Sequence, residues 1–342
     1  MNNCPISLKK IKNALVGLTS LSLLLATVTP AKAAIQVVDP TAGPLSIFDQ
    51  GGVLNPDSNL FHMQGLEVAP DGSAVFVAQA NAAPFNGPSS LSTMNRLIKS
   101  TGLGTAVQVG PTLNVGNHRT WGNDLTLGPN GLYYIFTKTG LWGFSPTGGA
   151  ASSFATWPTK NVGSSGITFT PDGSAALVSS DWPGGVFRFL KNATTFPTKI
   201  NTANVPWDDH VITPTGRTII CTEPKFGIQE LLPNGNIVKV YNLKTDVDVN
   251  AALTIAGYGA RCTIHPVSGD IFWTLNFETR SPIIVRIKAD LSDATVFAKG
   301  FVADLRDIDF GRRSSGAAGY SLYVSENNRT TGVGTIYEIP TP

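Results

Sequence analysis

The chain has 342 residues, of which 42% are hydrophobic and only 14% charged, with 35 glycines and 23 prolines. That balance is too apolar for disorder and too rich in turn formers for long amphipathic helices, so it points to short strands in one all-β domain. The formal charge of +2 includes Lys9, Lys10, Lys12 and Lys32 and no acid before residue 34, so the remainder carries −2 and is no basic nucleic-acid surface.

Residues 1–33 read as a signal peptide. A basic start (Lys9, Lys10, Lys12) precedes an apolar run over 14–28, and Ala31-Lys32-Ala33 supplies the small residues a signal peptidase needs. The run is short and broken by Gly17, Thr19, Ser20 and Ser22, which argues against a membrane anchor. Cys4 lies ahead of the run and is not placed as a lipoprotein cysteine. The mature protein is expected to begin near Ala34, to be periplasmic or secreted, and to keep no membrane span. Cys221 and Cys262 then sit where a disulfide is permitted; a bridge or two buried thiols both remain open.

From residue 64 onwards one unit recurs: a polar residue, an apolar-rich strand, a turn of Pro, Asp, Asn and Gly, and a second apolar strand. In chain order the copies are Gln64-GLEVAPDG-SAVFVA, Asn123-DLTLGPNG-LYYIFT, Ser165-GITFTPDG-SAALVS, Asp208-DHVITPTG-RTIICT and Arg261-CTIHPVSG-DIFWTL. The sixth, Arg306-DIDFGRRSSGAAG-YSLYVS, has a lengthened turn. Glycine at the turn permits the positive φ of a tight hairpin. Third strands follow at Gly185-VFRFL, Gly227-IQELL and Pro282-IIVRI, and fourth strands at Asn236-IVKVYN and Ala294-TVFAKG. Units of this length and content predict a six-bladed β-propeller of four-stranded blades filling 34–342. The sixth unit stops after its third strand, Gly334-TIYEIP, so an N-terminal strand, Ala34-AIQVVD or Leu45-SIFDQ, is expected to complete it and close the ring. The stretch 79–118 is the least regular and reads as an insertion in the first blade, either an exposed loop or a lid.

In such a ring every innermost strand starts beside the central channel. The six leading residues, Gln64, Asn123, Ser165, Asp208, Arg261 and Arg306, are therefore expected to converge at one axial mouth, as a ligand pocket or as solvated rim residues.

These units resemble those of the gluconolactonase and regucalcin group, and more distantly strictosidine synthase-like and NHL-repeat-like propellers. In that group Glu-Gly, Asn-Asp, Asn-Gly and Asp-Gly open successive inner strands and hold one divalent cation that polarises a sugar lactone. Asn123-Asp124 with LTLGPNGLYYIFT is the best match, and Asp208 stands where the group has its Asp. Gln64-Gly65 replaces Glu-Gly, Ser165-Gly166 replaces Asn-Gly, and Asp209 replaces a Gly. The resemblance implies an exported hydrolase of a lactone or related ester, with Asn123 and Asp208 as ligands to Ca²⁺ or another divalent cation. Asp208 is then ligand or general base, and Asp124 ligand-side partner to substrate hydroxyls. Arg261 and Arg306 put positive charge on the ring and favour the alternative, a non-catalytic propeller holding a small anionic or polyhydroxylated ligand or a protein partner.

His62 and His118 lie just ahead of leading residues, and His210 two residues into its unit, on the channel-facing parity of a regular strand. These three are candidates for substrate contact or general-base work. His265, ahead of a turn proline, reads as structural. Trp142, Trp157, Trp182 and Trp273 read as inter-blade packing, whereas Trp121 and Trp207 precede leading residues and are candidates to stack on a ligand ring.

Overall fold

The computed structural model describes residues 34–342 apart from 53–62, 81–93, 115–123, 159–165, 181–183, 202–208, 240–243, 259–260 and positions 138, 146, 149, 171, 246, 256 and 329. Those residues form six small, almost entirely antiparallel sheets, a short α-helix, Val247–Ala252, and a 3-10 turn, Pro224–Phe226.

The hairpins fall where the turn signals predict. Blade 1 runs Met63–Val68, Ala74–Ala80, Met94–Ser100 and Val107–Asn114, from axis to rim. Blade 2 is Leu125–Leu127, Tyr133–Thr137, Gly140–Phe144 and Ser152–Thr156. Blade 3 is Gly166–Phe169, Ala175–Ser180 and Gly185–Leu190, its rim marked only by the bridge between Phe187 and Lys199. Blade 4 is Asp209–Ile212, Thr218–Cys221, Ile228–Leu231 and Ile237–Lys239. Blade 5 is Cys262–Ile264, Ile271–Phe277, Ile283–Ile287 and Asp293–Lys299. Blade 6 is Asp304–Arg312, Tyr320–Asn328 and Val333–Pro340.

One expectation changes here, and one open choice is decided. The stretch 79–118 is not simply an insertion, because it contains the third and outer strands of blade 1, Met94–Ser100 and Val107–Asn114. Of the two candidate closing segments, the second is used: Ser46–Gly52 pairs antiparallel with Val333–Pro340 and completes blade 6. The first segment instead lies along blade 5, where Gln36–Val37 pairs with Lys299 and Ala298. Arg286 holds it there, bonding Asp39 at 2.6 Å and Asp270 at 2.6 Å. Both segments thus cover sheet edges that would otherwise present unpaired backbone.

The core is divided as the alternation of each strand requires. Side chains of successive residues leave opposite faces of a blade, so each blade feeds two gaps. Six apolar clusters result, one in each gap between neighbouring blades. The gap between blades 2 and 3 is rich in stacked aromatics, including Phe136, Trp157 and Phe189. Among the described residues the gap between blades 3 and 4 has the fewest buried apolar members, Val186, Ile220 and Leu231. At roughly 1.5–3 kcal/mol for each fully buried large side chain, these gaps supply the apolar term that holds the ring together.

Cys221 and Cys262 are joined in a disulfide, with Cα atoms 6.3 Å apart. It links the second strand of blade 4 to the innermost strand of blade 5.

Candidate functional site

An innermost strand has hydrogen-bond partners on one side only, so its other edge turns amides toward the axis. A buried amide without a partner costs about 1–3 kcal/mol. In this chain acidic side chains take those amides, each reaching from one blade to the next. Asp307 of blade 6 accepts the Leu66 N–H of blade 1 at 2.6 Å. Asp124 of blade 2 accepts the Ile167 N–H of blade 3 at 2.7 Å, and Asp209 of blade 4 accepts the Cys262 N–H of blade 5 at 2.8 Å. The second oxygen of Asp209 and of Asp307 turns back to the next amide of its own strand, His210 or Ile308. Each lacing acid stands one position ahead of the amide's own place in the neighbouring strand.

The same rule holds one level along the axis. Asp309 accepts the Val68 N–H at 2.7 Å and Glu67 accepts the Leu127 amide. Asp124, Asp209 and Asp307 are buried, whereas Glu67 and Asp309 are partly exposed.

The turn-closing amides fix which residues are equivalent. They belong to Ala69, Gly128, Thr170, Thr213 and His265 in blades 1 to 5. Counting back four residues gives Gly65, Asp124, Gly166, Asp209 and Arg261, and the lacing adds Asp307 in blade 6. Arg261 is therefore not a leading residue, as the spacing to Gly269 implies. It occupies the second position, because the blade 5 turn is one residue longer between His265 and Gly269. Around the axis this position reads Gly, Asp, Gly, Asp, Arg, Asp. The glycines are required by proximity: a Cβ on Gly65 would lie 2.4 Å from the Leu125 nitrogen, and one on Gly166 would lie 2.1 Å from Asp209 Oδ1.

Arg261 is 5% exposed and faces all three aspartates electrostatically. Burial pushes the Asp124 carboxyl up to about 6, against the pull of Arg261, and raises Asp209 and Asp307 well above the usual carboxylate range. The three carboxyls oppose one another's ionisation, and Arg261 partly offsets that. Asp309 is pushed up to about 7, again chiefly by burial.

No protein-family model matches the chain, and no curated protein matches it by sequence. Solved structures do. A catalytically inactive virginiamycin B lyase from Staphylococcus aureus with quinupristin aligns at TM-score 0.52 and 12% identity, over 87% of this chain and 99% of that one. A structural-genomics protein from Bacteroides thetaiotaomicron aligns at 0.54 and 8%, over 86% and 75%. A candidate gluconolactonase aligns at 0.50 and 14%, over 90% and 97%. The likeness is one of fold: this is a six-bladed β-propeller.

Within the propeller the residues singled out from the sequence divide into three groups. Asn123, Ser165, Asp208, His62, His118, Trp121, Trp182 and Trp207 lie outside the described residues, and of Gln64 only its place in the first inner strand is described. Asp124 is buried, with its oxygens on the Ile167 and Leu125 amides and against Asp307, which makes it a brace rather than an acceptor for substrate hydroxyls. Arg306 lies 3.3 Å from Asp304, whose other oxygen accepts the Tyr258 hydroxyl.

His210 differs from its expected parity. It pairs with Ile220, which packs in the gap between blades 3 and 4, so the imidazole shares that gap instead of facing the channel. Its position carries Leu66, Leu125, Ile167 and Cys262 in other blades. Both ring nitrogens are buried without a partner among the described residues, and burial pushes its pKa down to about 4. His265 is structural, its Nδ1 accepting the Ser268 N–H at 3.0 Å within the turn.

Sequence reasoning missed Asp209, Asp307, Glu67 and Asp309 as one system. The signal was present: Asp follows the leading residue in every second unit, and Gly follows it in units 1 and 3.

Proposed function

We propose that the chain is an exported propeller hydrolase that opens a lactone or related ester at the axial mouth where the inner strands begin. The observation that carries this reading is the company kept by the two ring arginines. As open cations they would suit a small anionic ligand held without catalysis. Arg261 is instead buried among three aspartates, and Arg306 faces Asp304. The non-catalytic reading loses these two cationic donors, and among the described residues the acids around the axis outnumber the bases. Sharing the fold with a candidate gluconolactonase supports the choice of reaction.

Asp208, one residue ahead of Asp209 in the chain, is the proposed general base. It takes a proton from water; the water oxygen bonds to the carbonyl carbon; the ring C–O bond breaks, and its oxygen leaves with that proton as the hydroxyl of the hydroxy acid. Asn123, Gln64 and Ser165 offer neutral polar atoms to hold the substrate's oxygens, and His62 and His118 precede them in the same entry segments. Export rests on the basic, apolar and small-residue sequence of 1–33.

The described acids do not fit a divalent cation. Among the described residues no group of three His, Cys, Asp or Glu side chains is arranged to hold a metal, and the axial aspartates give their oxygens to amides. The step above needs none, and a cation on Asn123 and Asp208 is a separate question for chelation.

The test is a panel of sugar lactones and aryl esters with the mature protein, with and without chelator, alongside Asp208→Asn. Turnover lost in the variant is expected. Equal turnover in Asp208→Asn removes that residue from the reaction, and no turnover on any member overturns the hydrolase reading.

A further inference from the structure

Five of the six inner hairpins close in tight turns, and the sixth does not. Between Arg312 and Tyr320 blade 6 carries the extra residues of Arg313-SSGAAG, which stand over the first hairpin of blade 1. A cavity of about 550 Å³ lies between the two, at the turn end of the inner strands and away from the mouth where those strands start. Its size falls in the range that holds one small molecule.

The lining has a definite chemistry. Arg312 is exposed, and its backbone carbonyl is fixed by the Tyr323 hydroxyl at 2.7 Å. Arg313 donates to the Thr341 and Tyr320 carbonyls at 2.6 and 3.4 Å, which orders the guanidinium without neutralising it. Among the described residues neither arginine pairs with a carboxylate. The acid at the cavity, Asp71, is already matched by Lys99 at 2.8 Å. The two guanidiniums therefore line the cavity without a carboxylate partner of their own, while Glu338 behind the lining gives its oxygens to the Ser314 amide and hydroxyl. Ser73, whose hydroxyl is given to Asp71, Thr101, whose hydroxyl donates to Thr105, and Tyr320 complete the wall.

We propose that this cavity is a second ligand site, for a sugar acid. A guanidinium recognises a carboxylate by paired, charge-assisted hydrogen bonds. The Thr101 oxygen, which donates its proton to Thr105 and can still accept, and the exposed backbone of 316–319 suit the polyol, and Tyr320 suits the apolar face of a pyranose. The site is independent of the hydrolase reading, since it shares no residue with the axial mouth.

The probe is glucuronate, with glucose as its neutral counterpart, titrated calorimetrically into the full mature protein. Glucuronate is expected to bind saturably and glucose at least tenfold more weakly. Arg312→Ala is expected to weaken glucuronate about tenfold, the worth of one charge-assisted pair, and Arg312→Glu to abolish it. Arg312 is exposed and its side chain takes part in no hydrogen bond or ion pair among the described residues, so the melting temperature of both variants should stay close to the wild type, which separates lost binding from lost fold. Glucuronate bound no better than glucose overturns the proposal. So does binding that survives Arg312→Glu but disappears in Asp208→Asn, which would move the ligand to the axial mouth.

Discussion

Asp307 of the last blade accepts the Leu66 amide of the first at 2.6 Å, at the seam where the ring closes. The seam is otherwise held by the pairing of Ser46–Gly52 with the last strand and by the apolar gap around Phe48 and Tyr323. Asp307→Ala would leave the Leu66 and Ile308 amides buried without partners. At about 1–3 kcal/mol each, that predicts a loss of about 3 kcal/mol. Asp307→Asn keeps one acceptor and should lose less. Urea midpoints of the two variants check this, and an unchanged midpoint for the alanine variant would show that the lacing adds nothing.

The blades were legible in the sequence because a hairpin advertises itself locally, through alternation and a turn glycine. Gly72, Gly131, Gly173, Gly216 and Gly269 all have positive φ, as that reading requires. The equivalence of axial positions was less legible. It depends on counting through the turn, and one additional residue before Gly269 displaced Arg261 by a position. The role of His210 was hidden for a different reason. Blades stack face to face, so both parities of an inner strand point at neighbouring blades, and alternation alone does not select the channel. The closing strand could not be chosen between two apolar segments because both pair with a sheet edge.

Gly65 and Gly166 should respond differently to alanine. At Gly166 the new methyl meets a carboxylate oxygen of Asp209, a side chain that can rotate at the cost of its bonds to His210 and Cys262. At Gly65 it meets the Leu125 backbone nitrogen, which cannot move without its strand. We expect Gly166→Ala to lose about 2 kcal/mol and Gly65→Ala at least as much, through overpacking and lost lacing. Comparing the two denaturation midpoints tests it; a milder Gly65 variant contradicts the assignment of rigid backbone there.

The disulfide closes a loop between positions 41 residues apart and joins two blades beside the Asp209–Cys262 bond. Chain-entropy arguments give such a crosslink at most about 4 kcal/mol. Cys221→Ala with Cys262→Ala should therefore lower the midpoint substantially, and the loss should match that of the wild type unfolded in reductant. A double variant as stable as the oxidised protein would show that blade packing alone sets the stability here.

The axial acids make stability fall toward alkaline pH. Asp124, at about 6, and Asp309, at about 7, bind protons more tightly folded than unfolded, where an aspartate sits near 3.8. Their contribution is present below about pH 4 and is lost as pH rises through 6 and 7. Asp309→Asn should flatten the decline in melting temperature between pH 5 and pH 8. An equally steep decline in that variant would place the titrating group elsewhere.

His210 works in the opposite sense. Its pKa of about 4 in the folded state lies below the 6.5 of a free histidine, because burial opposes the charge and no described residue bonds the ring. The unfolded chain therefore takes up a proton first, and stability is lost as pH falls from 6.5 toward 4. At pH 5 that difference amounts to about 2 kcal/mol, and at pH 8 to almost nothing. Leucine is the natural replacement, since blades 1 and 2 carry Leu66 and Leu125 at the same position, and the gap it enters has the fewest buried apolar members among the described residues. His210→Leu should raise stability more at pH 5 than at pH 8, by about 2 kcal/mol in the difference between them. It should leave any lactone turnover in place, because the imidazole faces blade 3 and not the axial mouth. A gain that is the same at both pH values would mean that His210 is not neutral in the fold, and a loss of turnover would return it to the chemistry.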